Sequence, residues 1–222
     1  MIRENISRIK ARIPSGVIIV AVTKTRTPRQ LKEAIEAGIT DIGENRVREA
    51  FLKYNSLRTY ELANLRTVKW HMVGHLQTNK VKEAVKIFDL IHSIDSIHLA
   101  GEIAKQAAGI NKIQDILIEV KTSPEAAKFG LGPDETIAVI KEIAGLENIN
   151  IKGLMTIAPI VDDPEKARPY FRTLRELRDE INRLSVLKSP LSILSMGMTD
   201  DFEAAIEEGS NMVRIGRAIF EG

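Results

Sequence analysis

Two groups of residues in this chain could do chemistry together. Lys24 follows Thr23 at the end of an unbroken apolar run from Val17 to Val22. A run of that kind suits a strand buried on both faces, which would set the lysine amine at the mouth of a core. The second group lies near the C-terminus, where "LSMGMTDD" from Leu194 and "RIGRA" from Arg214 each leave an apolar stretch through a glycine into a helix start. Glycine lets a backbone approach a ligand closely, and the unpaired amides of a helix start favour an anion. Either glycine alone could simply make a tight turn; as a pair they suggest a phosphate cradle. A phosphate and a lysine at one mouth imply a ligand with a phosphate at one end and an electrophilic carbon at the other, because a desolvated lysine can form a Schiff base with an aldehyde.

Such residues need a scaffold that brings distant loops together. After Pro28, Leu31, Ala34 and Ile35 share one helical face that closes on Gly38. From there the pattern alternates: "TDIGEN" as strand, "REAFLKY" as helix, "TVKWHMVGH" as strand, "TNKVKEAVKIF" as helix, "DLIHSIDS" as strand, "IHLAGEIAKQAAG" as helix. It continues with "QDILIEVKT", then a helix opened by Pro133, then "NINIKGLMTIAP". A long helix follows, its apolar face carrying Phe171, Leu174, Leu177, Ile181 and Leu184 at three- and four-residue steps. "PLSILSMG", a helix in "TDDFEAAIEEG" and a last strand "NMVRIG" complete the chain. About eight strands alternating with helices predict a single-domain α/β fold over residues 1–222, a (β/α)8 TIM-type barrel, with a doubly wound open sheet as the competitor. Little chain remains after the final strand, so the segment around Ile2, Ile6 and Ile9 is expected to cover that side. The polar residues that break the pattern fall at expected strand exits: Lys24; Glu44 and Asn45; His71 and His75; His92 and Asp95; Glu119 and Lys121; Met155 and Thr156; Ser195; Arg214. In a parallel barrel all these ends share the ligand-binding face.

Composition excludes other classes. With 32 basic and 30 acidic residues the formal charge is +2, which gives no reason to expect a nucleic-acid or membrane-surface partner. The absence of cysteine removes disulfides, thiolate metal sites and thiol nucleophiles, and fits a reducing compartment. "MIRENISRIKARIP" alternates charge with isoleucine, unlike a signal peptide, and no apolar run approaches a membrane span, so a cytoplasmic location is expected. His71 and His75 have the numerical spacing of a metal pair, but Gly74 lies between them in a strand-and-loop pattern, so barrel-mouth polar residues are the expectation and no metal is. "GLGPDE" lacks the third glycine of a dinucleotide loop and reads as a turn, Trp70 reads as barrel packing, and Glu119 as a salt bridge to Lys121 or a neighbouring strand.

Two ligand classes meet the lysine-and-phosphate description: a phosphorylated aldehyde held by an aldolase-like lysine, and pyridoxal 5′-phosphate (PLP), whose ring nitrogen also needs a partner that Arg214 could supply. The motifs "AVTKT", "IGENRVRE", "WHMVGHLQTNK", "HSID", "KFGL", "GLMTIAP" and "LSMGMTDDFEAAIEEGSNMVRIGRAIFEG" together resemble the YggS/PROSC family of PLP homeostasis proteins, over nearly the whole chain. The resemblance implies a barrel similar to the N-terminal domain of alanine racemases. It also implies Lys24 as the Schiff-base lysine that holds PLP as a reversible internal aldimine. Ser195, Gly197 and Met198 would then match one phosphate-contacting segment, and Gly216 and Arg217 the other. Arg214 would face the pyridine nitrogen, with Asn45, His75 and Met155 near the ring. Thr25-Arg26-Thr27, Thr78 and a short N-terminal segment depart from the commoner family wording without touching these positions. An arginine opposite the ring nitrogen disfavours its protonation and weakens the cofactor as an electron sink. A racemase also needs a second base, and none of Tyr54, Tyr60 and Tyr170 falls at an expected strand exit. The expected function is therefore PLP binding, homeostasis and delivery without robust turnover, by a monomer or weak dimer with apo PLP-dependent enzymes as recipients. A small PLP-dependent racemase-like enzyme is the alternative.

Overall fold

The computed structural model describes residues 1–58, 67–123 and 129–221; Tyr60, and Lys128 of the "KFGL" motif, lie outside them. Helix α1 (Ile2–Arg12) leads into strand β1 (Ile18–Val22), and strands and helices then alternate: α2 (Pro28–Glu36), β2 (Asp41–Glu44), α3 (Val47–Arg58), β3 (Lys69–Met72), α4 (Val81–Ile87), β4 (Leu90–Ile94) and α5 (Ile97–Ala108). The second half repeats the pattern with β5 (Gln114–Glu119), α6 (Pro133–Ile143), β6 (Ile149–Met155), α7 (Arg168–Arg183), β7 (Ile193–Ser195), α8 (Phe202–Glu207), β8 (Met212–Ile215) and α9 (Arg217–Phe220). The strands pair in chain order, all parallel, and β8 closes on β1 with Val20 opposite Arg214. Closure decides between the two candidate architectures, because an open sheet would leave β1 and β8 as edges.

Local sequence explains the elements. Thr27 and Gln30 form a capping box at the start of α2, and Gly38 ends it at φ +88, a left-handed conformation that glycine adopts without a Cβ clash. Phe171, Leu174, Leu177 and Ile181 of α7 are buried against the barrel, as their spacing predicts. Leu184 is not: α7 ends at Arg183, Ser185 takes φ 51, and the turn leaves Leu184 46% exposed. Ile2, Ile6 and Ile9 of α1 are buried, and Asn5 Nδ2 donates to the Ile219 carbonyl of α9 at 3.1 Å, so the N-terminal helix covers the β8 side as expected. Trp70 packs outside the wall, edge-on to Tyr54 of α3. Inside the barrel, Val20, Val73, Leu90, Leu117, Met155 and Met212 form a separate apolar cluster below the mouth. Among the described residues no helix is long and apolar enough to cross a membrane.

Candidate functional site

The mouth is the C-terminal end of the strands. Thr23 takes the last buried position after β1, and Lys24 comes next, in a turn with Thr25. Lys24 is exposed in this structure, so the desolvation expected from the apolar run is not found: burial stops one residue earlier, at Thr23. Thr25 has φ 64, an unusual conformation for a β-branched residue, with a cost of order 1–3 kcal/mol that surrounding contacts must offset. Those contacts lie below it, between the barrel wall and α3. Lys53 Nζ donates to the Thr23 carbonyl at 2.5 Å, Glu44 Oε1 at 2.6 Å and Glu49 Oε1 at 2.6 Å. The Thr23 hydroxyl donates to Glu44 Oε1 at 2.5 Å, and the Thr25 amide to Glu49 Oε1 at 2.6 Å. Burial pushes the fully buried Glu44 carboxyl upward against the opposing bonds from Lys53 and Thr23. At Glu49 burial also acts upward, but the bonds from Lys53 and the Thr25 amide outweigh it and hold that carboxyl low. The lysine-bearing turn thus stands on a buried ionic pedestal.

Arg214 lies on the inner face of β8, only 4% exposed. Its Nη1 donates to both the carbonyl and the hydroxyl of Ser195 at 2.7 Å, and its Nη2 to the Thr156 carbonyl at 2.8 Å. A guanidinium has five N–H donors, so two remain without an acceptor among the described residues. Burial lowers the Arg214 pKa to about 10, opposed by the charges of Glu119 and Asp201. Glu119, at the end of β5, has no ion-pair partner among the described residues, which overturns the expected salt bridge; burial drives its carboxyl up to about 7, helped by Asp95 and opposed by Arg214. The reason is geometric: Glu119 points into the barrel, whereas Lys121 lies beyond the strand, its amide bonded to the Leu131 carbonyl.

The glycine loops hold as turns that need glycine. Gly197 has φ +91, and a Cβ there would sit 2.6 Å from Ala205 Cβ; one on Gly216 would sit 3.1 Å from the Val22 carbonyl oxygen, which sets this loop directly against the end of β1. The Ser195 hydroxyl is fully buried and engaged by Arg214 and His92, and the Met198 amide donates to Asp201 Oδ1 at 2.5 Å. Neither group is free for an anion in this arrangement. Gly216 and Arg217 open α9, and the Arg217 side chain pairs with Asp200, tying the two loops together. Met155 is fully buried in the interior cluster and forms part of the floor.

Asn45 and His75 come together on another side of the mouth, lining a cleft of about 490 Å³ between the β2 and β3 exits with Arg46, Gly74 and Lys80. Asn45 Oδ1 is buried without a hydrogen-bond donor, and His75 stacks on Phe129 with ring centroids 3.8 Å apart and faces Asp95 at 3.5 Å. His71 and His92, expected at strand exits, instead point into the barrel: His71 bonds Asp41 Oδ1 at 2.8 Å and His92 at 2.9 Å. His71 therefore faces away from His75, and among the described residues no cluster of potential metal ligands forms. The sequence did carry a signal for this interior pair, since each histidine interrupts an apolar strand at an inward-facing position. Lys53 carried less, only an i,i+4 spacing from Glu49.

Comparisons with known proteins agree with this fold. The family described as alanine racemase, N-terminal domain, matches residues 1–222. The pyridoxal phosphate homeostasis protein of Aquifex aeolicus is 44% identical over 202 residues, 91% of this chain and 85% of that protein. The Synechocystis protein of the same name is 36% identical over 214 residues, 96% of this chain and 95% of that one. The structure of PipY from Synechococcus elongatus with PLP bound superposes with a TM-score of 0.90 at 32% identity, covering 99% of this chain and all 100% of the other. Alanine racemase from Clostridium difficile shares the fold, with a TM-score of 0.79 at 17% identity over 99% of this chain and 59% of the enzyme. With a lysine after β1, a buried arginine on β8 and relatives aligned over nearly its whole length, this chain belongs to the pyridoxal phosphate homeostasis protein family, built on the alanine racemase N-terminal barrel.

Proposed function

We propose that this protein binds PLP at the barrel mouth, captures its aldehyde on Lys24 and releases it again, as an intracellular carrier that takes part in PLP homeostasis and delivery. The observation that carries the reading is the arrangement of the β1 and β8 exits, where Lys24 stands on its ionic pedestal and the buried, cationic Arg214 keeps two N–H groups without acceptors among the described residues. Bound PLP supplies the aldehyde and a ring able to withdraw electrons. The Lys24 amine attacks the aldehyde carbon, water leaves, and the resulting Schiff base is reversed by water or by a recipient's amine. Arg214 faces the ring nitrogen and, as a cation, keeps a proton off it. The backbone of Gly197 and Met198 on one side and Gly216 and Arg217 on the other takes the phosphate, with rotation of Asp201 freeing the Met198 amide. Ser195 acts through Arg214 rather than on the phosphate, Met155 floors the ring, and Asn45 and His75 flank it.

Delivery rather than turnover is supported by the positions of the tyrosines. Of the two described tyrosines, Tyr54 packs on Trp70 outside the wall and Tyr170, in the first turn of α7, packs against the main core outside the barrel interior, so neither offers a second base at the ring. Recipients are apo PLP-dependent enzymes, the carrier is a monomer or weak dimer, and its place is the cytoplasm, consistent with a chain that has no cysteine.

The test is the visible spectrum of the purified protein with added PLP, followed by borohydride reduction and mass mapping, beside Lys24→Ala. A yellow adduct reduced onto Lys24 and lost in the variant is expected. A protein that stays colourless with added PLP refutes the reading, and steady conversion of an amino acid would favour the racemase-like alternative.

A further inference from the structure

A polar thread runs down the inside of the barrel. Arg214 Nη1 lies 2.7 Å from Ser195 Oγ, which lies 3.0 Å from His92 Nδ1. His92 Nε2 lies 2.9 Å from His71 Nδ1, and His71 Nε2 lies 2.8 Å from Asp41 Oδ1. All five residues are buried, and they come from five different strands. Asp41 lines a separate cleft of about 600 Å³ with Ser15, Gly16, Ile18 and Thr40, at the N-terminal ends of β1 and β2, so the thread crosses the barrel from its far end to the mouth.

The two ends give the thread a direction. A guanidinium only donates and a carboxylate only accepts. Ser195 Oγ accepts a hydrogen bond from Arg214 Nη1, so its own hydrogen is donated to His92 Nδ1; His92 Nε2–H is then donated to His71 Nδ1, and His71 Nε2–H to Asp41. Each hydrogen is used once. Run the other way, the Ser195 oxygen would accept from both neighbours, and its hydrogen would find no acceptor among the described residues. Burial, with the charge of Arg214 added, keeps the His92 imidazole well below its ordinary pKa. At Asp41 burial acts upward, but the bonds from His71 and Thr40 outweigh it and hold the carboxyl low, which keeps it an acceptor.

We infer that Asp41, His71, His92 and Ser195 are positioning residues for Arg214. The carboxylate at the far end of the barrel selects the Nε2–H tautomer of both histidines, and that chain fixes the Ser195 hydroxyl as an acceptor that aims the guanidinium. The inference rests on the reading that Arg214 faces the ring of bound PLP.

The experiment begins on the ligand-free full chain, labelled with 15N-histidine, in long-range 1H–15N spectra at neutral pH. His75→Gln and His98→Gln remove the signals of the other two histidines. Both interior rings are expected neutral, with Nε2 protonated and Nδ1 bare; the opposite tautomer, or an imidazolium at either ring, overturns the relay. In Asp41→Leu the single-tautomer pattern should be lost and PLP uptake, read by absorbance, weakened about tenfold, the scale of one hydrogen bond to a charged group. Asp41→Asn retains a carbonyl acceptor and should restore both. Unchanged tautomers and uptake in a folded Asp41→Leu overturn the inference; if that variant does not fold, the ligand-free wild-type tautomers and Asp41→Asn decide it. A wild-type protein with the expected tautomers but no PLP uptake sinks the functional reading and leaves the thread standing, whereas PLP uptake with other tautomers does the reverse.

Discussion

Replacing Lys53 by methionine would test the pedestal beneath Lys24. The ammonium makes three bonds of 2.5 to 2.6 Å, two of them to carboxylates, at a position whose side chain is 6% exposed. Glu44 is fully buried, and its Oε2 already lacks a hydrogen-bond partner, so removing Lys53 leaves an uncompensated carboxylate that cannot turn to water. Breaking a buried pair from one side costs about 3–5 kcal/mol. With a urea slope of about 2.5 kcal/mol/M, the midpoint should fall by roughly 1 to 2 M. The sign of the pH dependence follows from the carboxyl. Burial already raises Glu44 in the folded protein, and losing its counter-charge raises it further, so the penalty is small where the group is protonated and grows as pH rises through its folded pKa. Urea melts of Lys53→Met at about pH 5 and pH 8 should differ accordingly, and adding Glu44→Gln should recover at least half of the loss at the higher pH. A midpoint shift below about 0.4 M at pH 8, or equal shifts at both pH values, would refute the view that this cluster is a coupled buried ion network.

Other outcomes can be measured on the same protein. Glu119 titrates at about 7 when folded against 4.5 as a free carboxyl, so its contribution to stability is present below about 4.5 and lost as pH rises through 7, a swing of about 3 kcal/mol. Denaturation between pH 5 and 8 should show the decline in the wild type and a flatter profile in Glu119→Gln; the same slope in both would assign it to other groups. Phe171→Ala, which empties a fully buried position under α7, should cost about 3–5 kcal/mol and lower the calorimetric Tm by roughly 6 to 20 °C. A shift of only a degree or two would mean that α7 collapses onto the barrel and fills the space.

What could be read from the chain alone was what is written locally. Period-two and period-3.6 patterns are short-range, and they marked the strands and the main helices down to the Gly38 turn. Strict strand–helix alternation pointed to a barrel with its polar exits on one face, and the motif wording pointed to the family. Burial and partnership are not local, and there tertiary structure decided. Lys24 was expected to be desolvated and is exposed, because where burial ends depends on how β1 meets its neighbours and α3. Glu119 was expected to form a salt bridge to Lys121 or a neighbouring strand and instead faces inward without one among the described residues, since side-chain direction follows the pleat. His71 and His92 were placed at the mouth and lie within the barrel, linked to Asp41 and Ser195 by contacts that span 21 to 103 residues of chain. Closing eight tilted strands sets such residues side by side, and no window of sequence contains that geometry.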